Sequence, residues 1–167
     1  LTSSWDGFTN TPNQDYNIKY YPNKTLLKDG MDFGWININQ IPKNRETKDL
    51  HKVFIPAANG SLTQVLGRPF YGEPNSVCSQ TYLVIGYNPK EHHFTKEECF
   101  GIISYIKTCF FRYLVSIKKK TQNGPRGVYQ FVPLQDFTKE WTDEELYKKY
   151  GLTEEEIAYI EEMVRPM

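Results

Sequence analysis

Three short motifs in the second half of the chain fix where its helices begin. Each is a threonine followed three residues later by a glutamate, at Thr95–Glu98, Thr142–Glu145 and Thr153–Glu156. In this capping box the Thr hydroxyl accepts a hydrogen bond from the third helical N–H, and the Glu carboxylate accepts one from the N–H of the Thr. Because each motif opens a helical apolar pattern, the motifs predict one long helix over about residues 96–115 and two short C-terminal helices.

Runs of β-branched and aromatic residues predict short strands. The clearest are Lys52–Pro56, Val65–Tyr71 and Ser79–Tyr87. Four successive apolar residues in the third run indicate a central strand that is buried on both faces. Alternating residues at Val128–Val132, which end at a proline, predict the last strand.

These elements predict an α/β protein of the mixed α+β kind, with a mixed β-sheet, one long helix packed on it and two short C-terminal helices. A length of 167 residues fits one domain. We expect residues 1–48, rich in Asn, Asp, Pro and Gly, to be an irregular, short-strand N-terminal part of that domain and residues 49–167 to be its core. Because the chain starts at Leu1 without Met, we expect a piece of a longer protein.

Aromatic residues make up 15% of the chain, which excludes a disordered polyampholyte because such chains lack the aromatic side chains needed to bury area. No apolar run approaches about 18 residues, so no membrane span is predicted. Three widely spaced cysteines (Cys78, Cys99 and Cys109) do not form a disulfide framework and favour a reducing compartment. The expected location is the cytoplasm.

The formal net charge of zero hides two charged blocks. Residues 99–135 carry six basic and no acidic side chains, whereas residues 136–167 carry ten acidic and four basic ones. An acid-free basic stretch of this length indicates an anionic partner such as nucleic acid. The alternative is that the two blocks face each other within the fold, which requires no ligand.

The basic charge is densest between the long helix and the predicted last strand. Lys118, Lys119 and Lys120 are candidate phosphate contacts. The next polar side chains can hydrogen-bond base edges, since Gln and Asn suit adenine and Arg suits guanine; they are Thr121, Gln122, Asn123 and Arg126. Alternatively, the lysines only complement the dipole at a helix C-terminus.

Two further candidates lie near the end of the first predicted strand of the core. Ala57–Ser61 is a run of small, hydrogen-bonding residues that includes Asn59, and it is either a ligand-contacting loop or an ordinary turn. Arg68 could join the same surface or remain a solvated strand residue.

Motifs of common catalytic centres are missing from the sequence. It contains no Gly-rich phosphate loop, no Gly-x-Ser-x-Gly and no His-Glu-x-x-His. His92 and His93 do not have zinc-module spacing to Cys99 and Cys109. We therefore expect no catalytic residues and no metal site in this chain.

Four stretches carry a resemblance to a known family: Gly72–Gly86, Tyr105–Ser116, Val128–Phe137 and Trp141–Ile157. Together they are similar to the C-terminal region of bacterial type II restriction–modification enzymes with a fused adenine-specific DNA methyltransferase upstream. The resemblance implies a target-recognition domain, the part that reads DNA sequence while methyl transfer or cleavage takes place elsewhere in the parent chain.

The expected partners are therefore double-stranded DNA and the upstream methyltransferase or nuclease domains of the parent chain. The parent would use S-adenosylmethionine, with or without Mg²⁺, and this piece would hold no cofactor and would not itself be an enzyme. We expect Arg112 to face outward and contact phosphates with Lys118–Lys120, and Asn59 to approach bases with the loop that follows those lysines. Two alternatives stay open. One is a small metal-dependent nuclease using acids such as Asp32, Glu73 and Asp136, and the other is a subunit-docking module that uses the acidic C-terminal helices.

Overall fold

A computed structural model describes residues 1–59, 61, 63–86 and 92–167. In these ranges the chain forms six short strands, four α-helices and several 3₁₀ turns, which confirms the predicted α+β class. The strands are β1 (Ile18–Tyr21), β2 (Gly34–Ile36), β3 (Lys52–Pro56), β4 (Phe70–Gly72), β5 (Ser76–Cys78) and β6 (Tyr82–Ile85). The helices are α1 (Lys96–Lys107), α2 (Cys109–Lys118), α3 (Asp143–Tyr150) and α4 (Glu154–Met163).

The strands form two three-stranded sheets. In the first, the order is β2-β1-β5, with β1 antiparallel to β2 and parallel to β5. In the second, the order is β4-β3-β6, with both neighbours antiparallel to β3. The central strand is therefore β3, whose first four residues are all buried, and the prediction of a central strand at 79–87 is wrong. β6 lies at the edge, with Val84 41% exposed, and Tyr87 lies outside the described residues.

Two other predicted strands differ from the observed structure for local reasons. Val65 has a positive φ of 65°, a conformation in which a β-branched residue cannot continue a strand, so only residues from Phe70 onward pair with β3. The last predicted strand is a 3₁₀ turn over Arg126–Tyr129. There, the N–H of Val128 donates to the carbonyl of Pro125 and the N–H of Val132 to that of Tyr129, both at 3.0 Å.

All three capping boxes form with both of their reciprocal hydrogen bonds. At α1, for example, the N–H of Glu98 donates to Thr95 Oγ1 at 3.2 Å, and the N–H of Thr95 donates to Glu98 Oε2 at 2.7 Å. Gly151 ends α3 with φ at 64°, the left-handed conformation that glycine adopts most easily.

The predicted long helix is divided at Thr108 into α1 and α2, which meet at a bend of 67°. Thr108 has an extended conformation, with ψ at 150°, and is both the C-cap of α1 and the N-cap of α2. Its hydroxyl donates to the carbonyl of Tyr105 at 2.7 Å and accepts from the N–H of Phe111 at 3.1 Å. Asp143 reaches the same point from α3, and its carboxylate accepts the N–H groups of Cys109 and Phe110 at 2.9 Å each. These contacts start a new helix in a new direction.

No single described helix is long and apolar enough to cross a membrane, and only α1 and α2 together, across their bend, reach that length and composition. In the protein, α1 and α2 supply much of the main core with β3. A smaller core lies in the first sheet, around Ile18, Tyr20 and Ile36.

Aromatic rings and one buried lysine join the two sheets. Tyr21 of β1 packs on Phe54 and Phe70 of the second sheet, with ring centroids 5.4 and 5.2 Å apart. Lys52 is only 2% exposed, and its Nζ donates to three backbone carbonyls. These belong to Lys48, Leu50 and Glu73, at 3.3, 2.9 and 3.0 Å. Burial lowers the pKa of Lys52 to about 8, and the three carbonyls replace the water that its ammonium group has lost.

Candidate nucleic-acid interface

The basic segment 118–126, called the basic loop below, is held in place by the end of the strand β3. The N–H of Asn59 donates to the carbonyl of Gln122 at 2.8 Å, and the N–H of Gly124 donates to the carbonyl of Ala57 at 2.9 Å. An isolated antiparallel bridge joins Ala58 to Asn123 between them. The structure thus brings together two candidate regions that are about 60 residues apart in sequence. These backbone contacts fix the position of the basic loop relative to the end of β3.

The three lysines of the basic loop have different surroundings. Lys118 is the last residue of α2, and Lys120 follows one residue after the helix cap; both are exposed. Lys119 is half-buried, and its Nζ donates to the carbonyl of Asn59 at 3.3 Å. Its partial burial lowers its pKa from the ordinary value. Lys119 therefore fastens the loop to residue 59, while Lys118 and Lys120 project into solvent.

Polar side chains form the exposed tip of the basic loop. Thr121, Gln122 and Asn123 are all exposed, and Thr121 Oγ1 accepts the N–H of Asn123 at 3.3 Å, which shapes the turn. Among the described residues, the side-chain amides of Gln122 and Asn123 make no hydrogen bond within the protein. Arg126 is exposed at the start of the 3₁₀ turn. The tip offers donors and acceptors in the combination that base edges accept.

The surroundings of Asn59 correct the expectation that its side chain approaches bases. Its Oδ1 accepts the N–H of Ser61 at 3.0 Å, which uses the amide to form its own turn. Its Nδ2 is buried and has no partner among the described residues. Asn59 therefore stabilises the basic loop through its backbone N–H, which bonds to Gln122, and its side chain stabilises the turn at Ser61.

Arg68 is exposed on the segment that leads into β4. In the described part of the chain, no hydrogen bond or ion pair connects Arg68 to the basic loop. The expectation that it belongs to the same surface thus has no contact to support it.

Arg112 is fully buried, which corrects the expectation that it faces outward to contact phosphates. All five of its N–H donors are used inside the protein. The acceptors are the carbonyl oxygens of Thr108, Gln64, Arg165 and Lys107, at 3.1, 3.3, 2.6 and 3.0 Å, and the sulfur of Cys109 at 3.7 Å. Burial lowers the pKa of this guanidinium from its ordinary value, and the negative charge of Asp143 opposes that effect. Arg112 is a structural residue at the bend between α1 and α2.

Within the described residues, no acid forms an ion pair with the cations of the basic loop. The ion pairs in the described ranges are Lys19–Glu73, Lys48–Asp49, His92–Glu98 and Lys139–Glu145. None of them involves the acid-free stretch 99–135. The alternative in which the basic and acidic blocks pair with each other finds no direct ion pair in this part of the chain.

Phe131 is a surface residue that the strand prediction for 128–132 missed. Its side chain is 45% exposed, and the Nζ of Lys118 lies 5.0 Å from the centre of its ring. The strand prediction was misled because Val128 and Val132 both pack against the core, as they would in a strand. The turn between them instead places Phe131 beside Lys118, at the end of α2.

Two of the acids named for the nuclease alternative, Glu73 and Asp136, form hydrogen bonds within the protein. The carboxylate of Glu73 accepts hydrogen bonds from Lys19 Nζ and the hydroxyl of Tyr21, and Asp136 accepts from the backbone and hydroxyl of Thr138. In the described ranges no group of three His, Cys, Asp or Glu side chains is arranged to hold a metal ion.

The site therefore combines a polar tip with cations that have no ion-pair partner among the described residues, on a loop that is fastened by backbone hydrogen bonds. One exposed aromatic ring, that of Phe131, lies beside the loop. Comparison with family models, with curated proteins and with solved structures finds no match for this chain.

Proposed function

We propose that this protein is a DNA-binding specificity module, the target-recognition domain of a restriction–modification enzyme. The observation that carries the proposal is the basic loop. It presents exposed cations that have no ion-pair partner among the described residues, within 37 residues that contain no acid. Burial of Arg112 removes one expected contact and leaves this loop as the center of the proposal.

Phosphate binding is assigned to the exposed cations Lys118, Lys120 and Arg126. For Arg126 this replaces the base contact expected from the sequence, because Arg126 starts the 3₁₀ turn and lies outside the tip. Each cation that neutralises a phosphate releases condensed counterions, so binding weakens as salt rises. Lys119 is assigned a different role, since its ammonium group already bonds to the carbonyl of Asn59. It holds the loop against residues 57–59 so that the other cations keep their positions.

Sequence reading is assigned to the tip of the loop. The amides of Gln122 and Asn123 can each donate to and accept from one base edge, the pattern that adenine presents in the major groove. Because the tip is tied at both sides to Ala57 and Asn59, its backbone loses little further freedom on binding.

In this proposal, the chemistry belongs to other domains of the parent chain. Upstream methyltransferase or nuclease domains would use S-adenosylmethionine, with Mg²⁺ where cleavage occurs, and this module would supply the recognition of double-stranded DNA. Location in the bacterial cytoplasm is part of the same proposal.

The first test measures duplex binding as a function of salt. With three phosphate contacts, we expect the logarithm of the binding constant to fall with the logarithm of the salt concentration at a slope of about −2.7, since each contact contributes about −0.9. The variant K118A/K120A should reduce the slope to about −0.9 and weaken binding to every sequence equally. Fluorescence anisotropy with a labelled duplex measures both quantities.

The matched control for this test is K24A/K28A. It removes the same two charges from exposed lysines outside the basic loop, and it should leave the slope unchanged. Equal slopes for the two double variants would show that net charge alone attracts DNA and would contradict the assigned site.

A second prediction separates sequence reading from phosphate binding. Q122A and N123A remove no charge, so the salt slope should stay the same. Each should lower the preference for the selected sequence by about 1–3 kcal/mol, the value of one good bidentate amide–base contact. Selection from a randomised duplex pool, followed by affinity measurements on the selected and scrambled duplexes, tests this. An altered slope with an unchanged preference would reverse the roles given to the tip and to the lysines.

A further inference from the structure

Phe131 is a large apolar side chain held at the surface beside the basic loop. Its ring is 45% exposed, and the ammonium group of Lys118 lies 5.0 Å from its centre. Within the described residues, no other aromatic ring packs against it. Single exposed apolar residues are common on protein surfaces, so the case for Phe131 depends on how its backbone is held and on the charges around it.

The backbone on both sides of Phe131 is fastened. The N–H of Val132 donates to the carbonyl of Tyr129 at 3.0 Å. One residue further, the hydroxyl of Tyr105 donates to the carbonyl of Pro133 at 2.9 Å. The ring therefore extends from an anchored turn. A phenylalanine side chain has only two rotatable bonds, so a ring presented in this way is ordered at low entropic cost when it meets a ligand.

The charge around Phe131 selects the kind of ligand. The stretch 99–135 contains no acid, and Lys118 lies over the ring with no ion-pair partner in the described part of the chain. Cations that track a phosphate backbone, combined with an aromatic ring that stacks on a base, are the usual components of nucleic-acid binding surfaces. An apolar anchor for a protein partner would have no need of a cation over its ring or of an acid-free stretch on both sides.

Stacking restricts the form of the nucleic acid. In a regular duplex, neighbouring bases cover both faces of each base, so a ring can stack only where a base is unstacked or unpaired. We propose that Phe131 stacks on a base displaced from the duplex while Lys118 binds a phosphate beside it. This inference rests on the proposed DNA-binding function and adds to it a preference for locally unstacked DNA.

The test compares two duplexes that share one strand containing a single 2-aminopurine, which either pairs with thymine or lies opposite an abasic site. We expect the full chain to bind the second duplex about 5- to 100-fold more tightly, the range that one base–aromatic stack provides. Binding should also change the 2-aminopurine fluorescence. F131A should lose both the preference and the fluorescence change, and F131Y should keep both. Because no charge is removed, F131A should keep the salt slope.

The matched control is L134A, which removes another exposed apolar side chain from the same segment; Leu134 is 87% exposed. L134A should behave like the wild type. Equal losses in F131A and L134A would indicate a general apolar contact and overturn the stacking role. Unchanged binding of F131A to both duplexes would also overturn it and assign the ring to a protein partner. If the wild type bound neither duplex in a salt-dependent way, the proposed function itself would fail.

Discussion

Replacing Arg112 with methionine is expected to lower the free energy of unfolding by about 3–5 kcal/mol, because the acceptors around a fully buried guanidinium lose their donors. The methionine fills part of the volume but donates nothing. Four carbonyl groups then lose a buried donor, and each such loss costs about 1–3 kcal/mol unless water enters. These carbonyls belong to α1, to the segment at Gln64 and to the C-terminal segment at Arg165, so three parts of the chain lose a common partner.

Urea denaturation followed by circular dichroism measures this loss. K107M is the control, since Lys107 is an exposed neighbour at the same bend and its substitution should change stability by less than about 0.5 kcal/mol. R112K keeps the charge but has three donors where the guanidinium has five, so it should recover only part of the stability. Wild-type stability in R112M, or full recovery in R112K, would disprove the structural role.

R112M also tests whether Arg112 contacts DNA, because it removes the charge. Measured at a temperature where the variant is folded, its salt slope should equal that of the wild type, because the buried guanidinium faces no phosphate. A slope reduced by about 0.9 would restore the phosphate contact that the sequence suggested.

Replacing Gly101 with alanine is expected to destabilise the protein by about 2 kcal/mol, although alanine favours helices. A Cβ at this position of α1 would overlap the carbonyl oxygen of Phe137 and lie 2.7 Å from that of Lys139. Both are backbone atoms of a segment that is fastened to α1, where the N–H of Trp141 donates to Ser104 Oγ at 2.9 Å. Overpacking of this kind costs about 1–3 kcal/mol or more, which exceeds the gain of about 1 kcal/mol from helix propensity.

The sign of the change in the free energy of unfolding is the test. Helix propensity alone predicts that G101A is more stable than the wild type, and steric overlap predicts that it is less stable. The urea midpoint decides between them. G127A is the matched control, because a Cβ on Gly127 meets no atom within 4 Å and its φ is not positive.

The helices were predictable to the extent that their ends are encoded locally. Each capping box needs only residues three positions apart, so the starts at Thr95, Thr142 and Thr153 could be located from sequence. The break at Thr108 could not, because half of the cap on α2 comes from Asp143, which lies 34 residues away. The alternation of apolar and polar residues at 128–132 did not distinguish a strand from a turn, because a turn packed against a helix can bury the same residues as a strand.

The candidate site was predictable in composition and not in geometry. Exposure of Lys118, Lys120 and Arg126 agrees with what a dense run of charge implies. The pairing of Asn59 with Gln122 is a long-range contact that leaves no local pattern. Arg112 was misplaced for a related reason, because two of the four carbonyl groups that surround it, those of Gln64 and Arg165, come from distant segments. Only the folded chain shows that an arginine in this helix can be buried with all of its donors hydrogen-bonded.

The double anchoring of α2 has a consequence for how such a protein can vary. The helix begins at a cap fixed by Thr108 and Asp143, and it ends where Lys119 bonds to residue 59. One residue inserted within α2 would rotate the following residues by about 100° and advance them by about 1.5 Å. This displacement would break the backbone hydrogen bonds between the basic loop and residues 57–59. Residues 120–123 follow that constraint, and the contacts with residues 57–59 hold them through backbone groups. We therefore expect that the tip can be exchanged for a foreign sequence of equal length, as a cassette, while the length of α2 stays constant.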